Sequence, residues 1–353
     1  MLAEGLIVSD KVSTPLASFR DRLMMVRPRS LRPGVVGLAV TVLMVLGMPV
    51  GAGARPGGLA FTRTNPPWQE PTVLPDFSGL AWIEENLFVA VHDTKHSKGL
   101  DQPRVSLLTL PTSQAGIQAQ FPPIRWPEPH GPSNDFESIA RIPGTRQMLL
   151  VESGDETGKF RRIFLANLDR RKLMLSDFIH WPVPITNVEG SAVARVGDRL
   201  IFLYAERAHG QSSTLIRWAD LALQPLALGE FREVRFTSPG PRGPDSRPVS
   251  ALEVDRAGHL YVASALDPGS NNGPFRSMVW RVGRLTMDAE GSPDLVLKAD
   301  PEPVATLDGV KVESLAIRQR AGDDPELFVG MDDEYFGATM RLIPLSPSSR
   351  KGE

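Results

Sequence analysis

The chain has 353 residues, 41% of them hydrophobic, with 31 Gly and 32 Pro, which allows one large or two ordinary domains and favours many short strands joined by turns. A net charge of -2 excludes electrostatic attraction to nucleic acid, and the absence of Cys excludes disulfides, thiol nucleophiles and thiolate metal sites. The charge is uneven: residues 1–54 carry six basic side chains against three acidic ones, and the remainder 33 basic against 38 acidic.

In chain order, the first element is "VRPRSLRPGVVGLAVTVLMVLGMPVGAGARPGG". It has a basic start, a run without charge from Val35 to Val50, and a small-residue "AGA" ending at Ala54. This pattern predicts a secretory signal over residues 1–54, cleaved after Ala54, with translation starting at Met1, Met24 or Met25. The alternative is an uncleaved membrane anchor, since the run is near the lower limit for a span. With cleavage, the mature chain lies outside the cytoplasm and has no membrane span.

Five similar units follow. "PDFSGLAW" leads to "ENLFVAVHDTK", "NDFESIAR" to "RQMLLVESGD", "TNVEGSAV" to "DRLIFLYAER", "RPVSALEV" to "GHLYVASALD" and "VKVESLAI" to "PELFVGMDDE". Aligned on Ser78, Glu137, Glu189, Ser250 and Glu313, they are spaced by 59, 52, 61 and 63 residues. Each of the first four units carries two more strand candidates after its hairpin. Four short antiparallel strands repeated about every sixty residues predict an all-β fold, a β-propeller of five blades, or six if one unit conceals an irregular blade. The fifth unit lacks an outer strand, and "GGLAFTRTNPPW" (57–68) is expected to supply it and close the ring. A single domain over 55–345 is expected, with residues 346–353 as a disordered tail. Two β domains or a sandwich with chance resemblances is the alternative.

In an antiparallel hairpin the start of the first strand and the end of the second share one end. If the hairpin is the innermost pair of each blade, several acids gather at one mouth of the central channel: Asp76 and Asp93, then Asp135, Glu137, Glu152 and Asp155, then Glu189 and Glu206, and finally Glu313, Asp332 and Asp333. Crowded carboxylates must be diluted by water, protonated, paired with bases or occupied by cations. Oxygen ligands without Cys and with little His suit Ca²⁺ or Mg²⁺ rather than Zn²⁺. Alternatively, Glu137, Glu189 and Glu313 hydrogen-bond backbone N–H groups of the next blade and serve only to join blades.

The elements "DFSGLA", "DFESIA" and "NVEGSA", each leading to an apolar strand that ends in acid, resemble the phytase-like β-propellers, described as having esterase-like activity of phytase. The SdiA-regulated periplasmic propellers are similar. The resemblance implies a calcium-supported propeller, in some members hydrolysing phosphate esters at a metal-lined mouth. Carried over, it makes Asp135, Glu137, Glu189 and Glu313 candidate Ca²⁺ ligands, the three glutamates also catalytic candidates, with Glu152, Glu206, Asp332 and Asp333 beside them. Lys95, Arg207, Arg247 and Lys311 near the mouth are candidates for an anionic substrate. The column departs from the pattern at Ser78 and Ser250.

Other motifs fail. "SGDETGKF" has only three residues between its glycines and no Ser or Thr after Lys159, so it is no phosphate loop. No G-x-S-x-G elbow appears. His92 and His96 are four apart on a loop, where that spacing means little. Two functions remain: a metal-dependent ester hydrolase, or a noncatalytic propeller binding a small ligand, polymer or protein at its mouth with only a structural cation. A monomer is expected in either case.

Overall fold

The computed structural model describes residues 61–63, 74–111, 117–129, 131–153, 159–269, 273–332 and 338–345. The signal-like segment, the tail, Asp155 and Asp333 lie outside the described residues. Among these residues, apart from one 3-10 turn at His96–Lys98, the elements are strands.

The strands form five sheets arranged as the blades of a propeller. Blade one is β2 (Gly79–Glu84), β3 (Leu87–Val91), β4 (Val105–Thr109) and β5 (Ile117–Gln120); blade two is β6 (Phe136–Arg141), β7 (Gln147–Glu152), β8 (Arg162–Asp169) and β9 (Lys172–His180). Blade three has β10 (Val188–Val196), β11 (Arg199–Glu206) and the long β12 (Ser213–Leu223), which pairs with both β13 (Leu226–Leu228) and β14 (Arg232–Thr237). Blade four is β15 (Ser246–Val254), β16 (His259–Leu266), β17 (Arg276–Met287) and β18 (Pro293–Asp308). Blade five shows three strands among the described residues, β19 (Val312–Arg318), β20 (Glu326–Asp332) and β21 (Ala338–Ile343). Within each blade these strands pair antiparallel.

The innermost strands β2, β6, β10, β15 and β19 pack successively, and β19 returns to β2. The small residues of the repeat make this possible. A Cβ on Gly79 would fall 2.8 Å from the backbone nitrogen of Ile139, and one on Gly190 would fall 2.6 Å from that of Leu252. Serines fasten neighbouring blades: Ser191 N donates to Ser138 Oγ at 2.8 Å, and Ser250 Oγ donates to Val312 O at 2.7 Å. Apolar faces fill the wedges between blades, as where Phe77, Phe88, Ala316, Phe328 and Met340 share one cluster.

The N-terminal strand corrects one expectation. β1 (Phe61–Arg63) does not complete blade five but lies parallel to β5, on the outer edge of blade one. It thereby covers an edge whose backbone groups would otherwise be unpaired. The ring closes instead by side-chain packing between blades five and one, with Phe88 and Phe328 edge to face at 5.0 Å between centroids.

Candidate functional site

Bulges aim the repeated glutamates. The pairing of β6 with β7 shifts between Phe136 and Ser138, that of β10 with β11 between Val188 and Gly190, and that of β19 with β20 between Val312 and Ser314. Glu137, Glu189 and Glu313 are the extra residues, and a bulge re-aims its side chain. All three are buried at the same end of the propeller. Blade four is irregular between Arg247 and Ala251; its column residue is Ser250, and the buried guanidinium of Arg247 lies 2.8 Å from Glu313 and 3.8 Å from Glu189.

A cavity of 820 Å³ opens at this end, lined among others by Asp76, Asp93, Asp135, Glu137, Asp267, Glu313 and Asp332. Residues flanking each inner hairpin form its rim. Ser153, Arg207, Asp267 and Asp332 each donate a backbone N–H across the hairpin, to the carbonyls of Asp135, Asn187, Asp245 and Lys311.

The bulges also correct two expected site residues. Glu152 pairs with Phe136 and Glu206 with Val188, partners just before the bulge whose side chains are in the core. Glu152 is accordingly drawn inside blade two and leaves the mouth to Ser153. Its carboxylate accepts from Arg162 Nη2 at 2.7 Å, Arg162 Nε at 2.8 Å and Arg162 N at 3.1 Å. Glu206 accepts from Thr186 N at 3.1 Å, stands 3.8 Å from Arg217, and leaves the mouth to Arg207.

On the side of blades three to five, acids and bases interleave. Arg207 Nε donates to Glu189, while Arg247 donates to Glu313 at 2.8 Å and to Asp267. Lys311 pairs with Asp332 and lies 3.3 Å from Glu313. Burial raises the Glu189 carboxyl above the ordinary range, opposed by Arg207 and Arg247. Burial also raises Glu313, as does Asp332, against Lys311 and Arg247. For Asp267 burial is outweighed by Arg247, the Gly269 N–H and Lys311, and the carboxyl is lowered. The three base candidates on this side, Arg207, Arg247 and Lys311, are thus already held by protein carboxylates.

Blades one and two present a different arrangement. Oxygens of Asp93, Asp135 and Glu137 lie within 4.8 Å of one another. Asp135 Oδ2 is 3.2 Å from Ser153 Oγ, whereas its buried Oδ1 makes no hydrogen bond. Lys95 stands 3.3 Å from Asp93 and 3.7 Å from Asp135, half exposed. Burial would lower the Lys95 ammonium, but Asp93, Asp135 and Glu137 outweigh it and raise it. Glu137 is 6% exposed. Among the described residues it has neither a hydrogen bond nor an ion pair. Burial first, then Asp135, Glu189 and Asp93, push its carboxyl well above the carboxylate range, with Arg207 opposing.

The Asp135 loop is firmly held. Arg104 Nε donates to Ser133 O at 2.6 Å, Arg162 donates to Gly131 O and Pro132 O, both at 3.3 Å, and Asn134 accepts from His96 N at 2.7 Å. His92 is also structural: its ring nitrogens meet Asp76 O and Ser106 Oγ, each at 3.0 Å, and burial lowers its pKa to about 4.

The donor set fits a hard cation. Two oxygens on opposite sides of one Ca²⁺ stand about 5 Å apart, and on opposite sides of Mg²⁺ about 4 Å apart. Oxygens within 4.8 Å of one another are close enough to share one such ion. Sequence reasoning misses Arg161, which also lines the cavity. Strand alternation in "FRRIF" is the available signal, because it sends Arg161 and Arg162 to opposite sides.

The fold and the site together define a five-bladed β-propeller with a carboxylate-lined mouth. No family model and no curated protein matches the chain. It is similar to solved structures that include an exo-1,5-α-L-arabinanase from a bovine ruminal metagenomic library, at 12% identity over 77% of this chain and 92% of that one, TM-score 0.44. Another is an endo-1,4-β-xylanase from Bacteroides thetaiotaomicron VPI-5482, at 10% identity over 79% of this chain and 93% of that one, TM-score 0.47. Likenesses of this degree say nothing of the substrate.

Proposed function

We propose that the protein is an extracytoplasmic, phytase-like propeller that binds calcium through Asp93, Asp135 and Glu137 and hydrolyses a phosphate or related ester at its mouth. Glu137 carries this reading. It is a buried carboxyl with no protein partner among the described residues, held beside two further carboxylates by a bulge and a clamped loop. A buried carboxyl without a partner is costly, which makes it a candidate for a functional site. The signal-like residues 1–54 support export, and the reading takes the protein as a monomer.

A hard cation held by these carboxylates would supply charge neutralisation for an anionic ester and activation of water. The chain's own residues do the rest. Asp93, Asp135 and Glu137 would hold the ion at the mouth. Glu189 and Glu313 fix Arg207 and Arg247 in place, which makes them positioning residues rather than ligands.

A second reading, a noncatalytic propeller binding a small ligand, polymer or protein, is favoured by Lys95, an internal cation that already neutralises part of the cluster. A screen of phosphomonoesters and carboxylic esters with calcium, repeated with Glu137→Gln, separates the two. Turnover lost in that variant supports the hydrolase; no turnover of any ester by the native chain leaves the binding module.

A further inference from the structure

We propose that Arg161 is the anion anchor of the mouth, seating a phosphate-type oxyanion together with Asn187 and Thr186. This extends the reading above to the anionic partner but does not require the cation. Of the bases lining the cavity, Arg207, Arg247 and Lys311 are bonded to buried carboxylates, and Lys95 is paired with Asp93 and Asp135. Arg161 differs from all of them. Among the described residues its side chain makes no hydrogen bond and no ion pair; its Nε is shielded from water without an acceptor, as is that of Arg247. The side chain is half-buried, and its counterion, absent among the described residues, is left to solvent or a ligand.

The surroundings favour a ligand. The backbone of Arg161 is pinned, since its carbonyl accepts from Trp181 N at 3.1 Å. Asn187 Oδ1 lies 2.9 Å from Ser153 Oγ, leaving the Asn187 amide NH₂ without an acceptor among the described residues. Thr186 uses its backbone N–H on Glu206 but not its hydroxyl. Three unused donor groups therefore line one cavity. The planar fork of arginine matches two oxygens of a phosphoryl group, which a point-charge ammonium does not. Ser153 touches both Asn187 and Asp135, so this donor seat adjoins the carboxylate cluster. A phosphate monoester spanning the two would meet donors on one side and acidic oxygens on the other.

The test is calorimetric titration of inorganic phosphate into the full chain, first in chelator and then in calcium. Native protein is expected to bind in both buffers, with affinity at least about tenfold weaker in Arg161→Gln. Arg161→Lys should fall between the two, and Arg235→Gln, on the exposed β14, should match native. Because Arg161 makes no internal side-chain bond among the described residues, Arg161→Gln should melt with the native protein when no ligand is present. Asn187→Asp, which brings negative charge to the seat, should weaken phosphate similarly. Native-like phosphate affinity in both Arg161→Gln and Asn187→Asp, or no binding by the native chain in either buffer, overturns the assignment. A calcium response retained by Arg161→Gln and lost by Asp135→Asn reports the cation site separately, so either can fail without the other.

Discussion

The two sides of the mouth use the same acidic column in opposite ways. On the side of blades three to five, each buried glutamate of the column meets a guanidinium, and Lys311 adds a further positive charge among Asp267, Glu313 and Asp332. On the side of blades one and two, the half-exposed Lys95 pairs with Asp93 and Asp135, while Glu137 has neither a hydrogen bond nor an ion pair among the described residues and feels Arg207 only through its field. The difference arises at rim positions rather than in the column: where blade three has Arg207, blade two has Ser153, a neutral hydroxyl. One substitution of type at the rim converts a structural ion pair into an electrostatically unfilled site.

The largest expected effect breaks the paired side. Arg247→Met removes the guanidinium bonded to the buried Asp267 and Glu313. Losing one member of a buried network costs about 3–5 kcal/mol. Thermal unfolding should show a fall in Tm on the order of 10 °C; a change of one or two degrees would show the pairs to be dispensable.

Calcium should act on the other side alone. At a concentration about a hundredfold above its Kd, a ligand confined to the folded state adds about 2.7 kcal/mol. The expected rise in Tm should vanish in Asp135→Asn and in Glu137→Gln and survive in Glu313→Gln. A rise unchanged in Asp135→Asn would move the cation elsewhere.

A smaller effect is the pH dependence in chelator, to which Glu189 and Glu313 on the paired side contribute with the same sign as Glu137. Glu137 has a raised folded pKa, so the folded chain holds its proton where the unfolded chain has released it. Its contribution to stability is present below the ordinary Glu pKa and lost as pH rises through the raised value. Stability should therefore decline on going from acid to neutral pH, and Glu137→Gln should flatten that decline and stabilise the chain at neutrality by about 1 kcal/mol or more. His92 works in the opposite sense: lowered from 6.5 to about 4, it favours the fold above 6.5, an advantage lost as pH falls towards 4. Denaturant titrations of native and Glu137→Gln protein across this range measure the difference.

Much of this architecture is legible in the amino-acid sequence. The blades can be counted because five inner strands converge on one axis, and only small residues such as Gly79, Ser138 and Gly190 fit there, which imprints a repeat. The acidic column is visible for the same reason. The bulges are not. An extra residue in one strand changes the phase of everything after it, so simple hairpin pairing sends Glu152 and Glu206 to the mouth although they pair with core positions. The partner of β1 is also hidden, because a three-residue strand carries no pattern that selects one sheet edge over another. Arg161 escapes for a subtler reason: what distinguishes it is the lack of a partner, and no spacing records that.

The smallest effect tests which cation the unfilled side prefers. Lys95 is half exposed, and an exposed pair contributes only about 0–1 kcal/mol. Lys95→Met should therefore barely change Tm in chelator. Its ammonium nevertheless lies against two of the three oxygen donors proposed for calcium, so it repels an incoming divalent ion and competes for the same oxygens. Removing it should tighten calcium binding several-fold while leaving Arg207, Arg247 and Lys311 undisturbed. If calcium affinity instead stays the same or falls, Lys95 is no competitor, and the acidic side of the mouth is balanced by its own lysine much as the opposite side is balanced by its arginines.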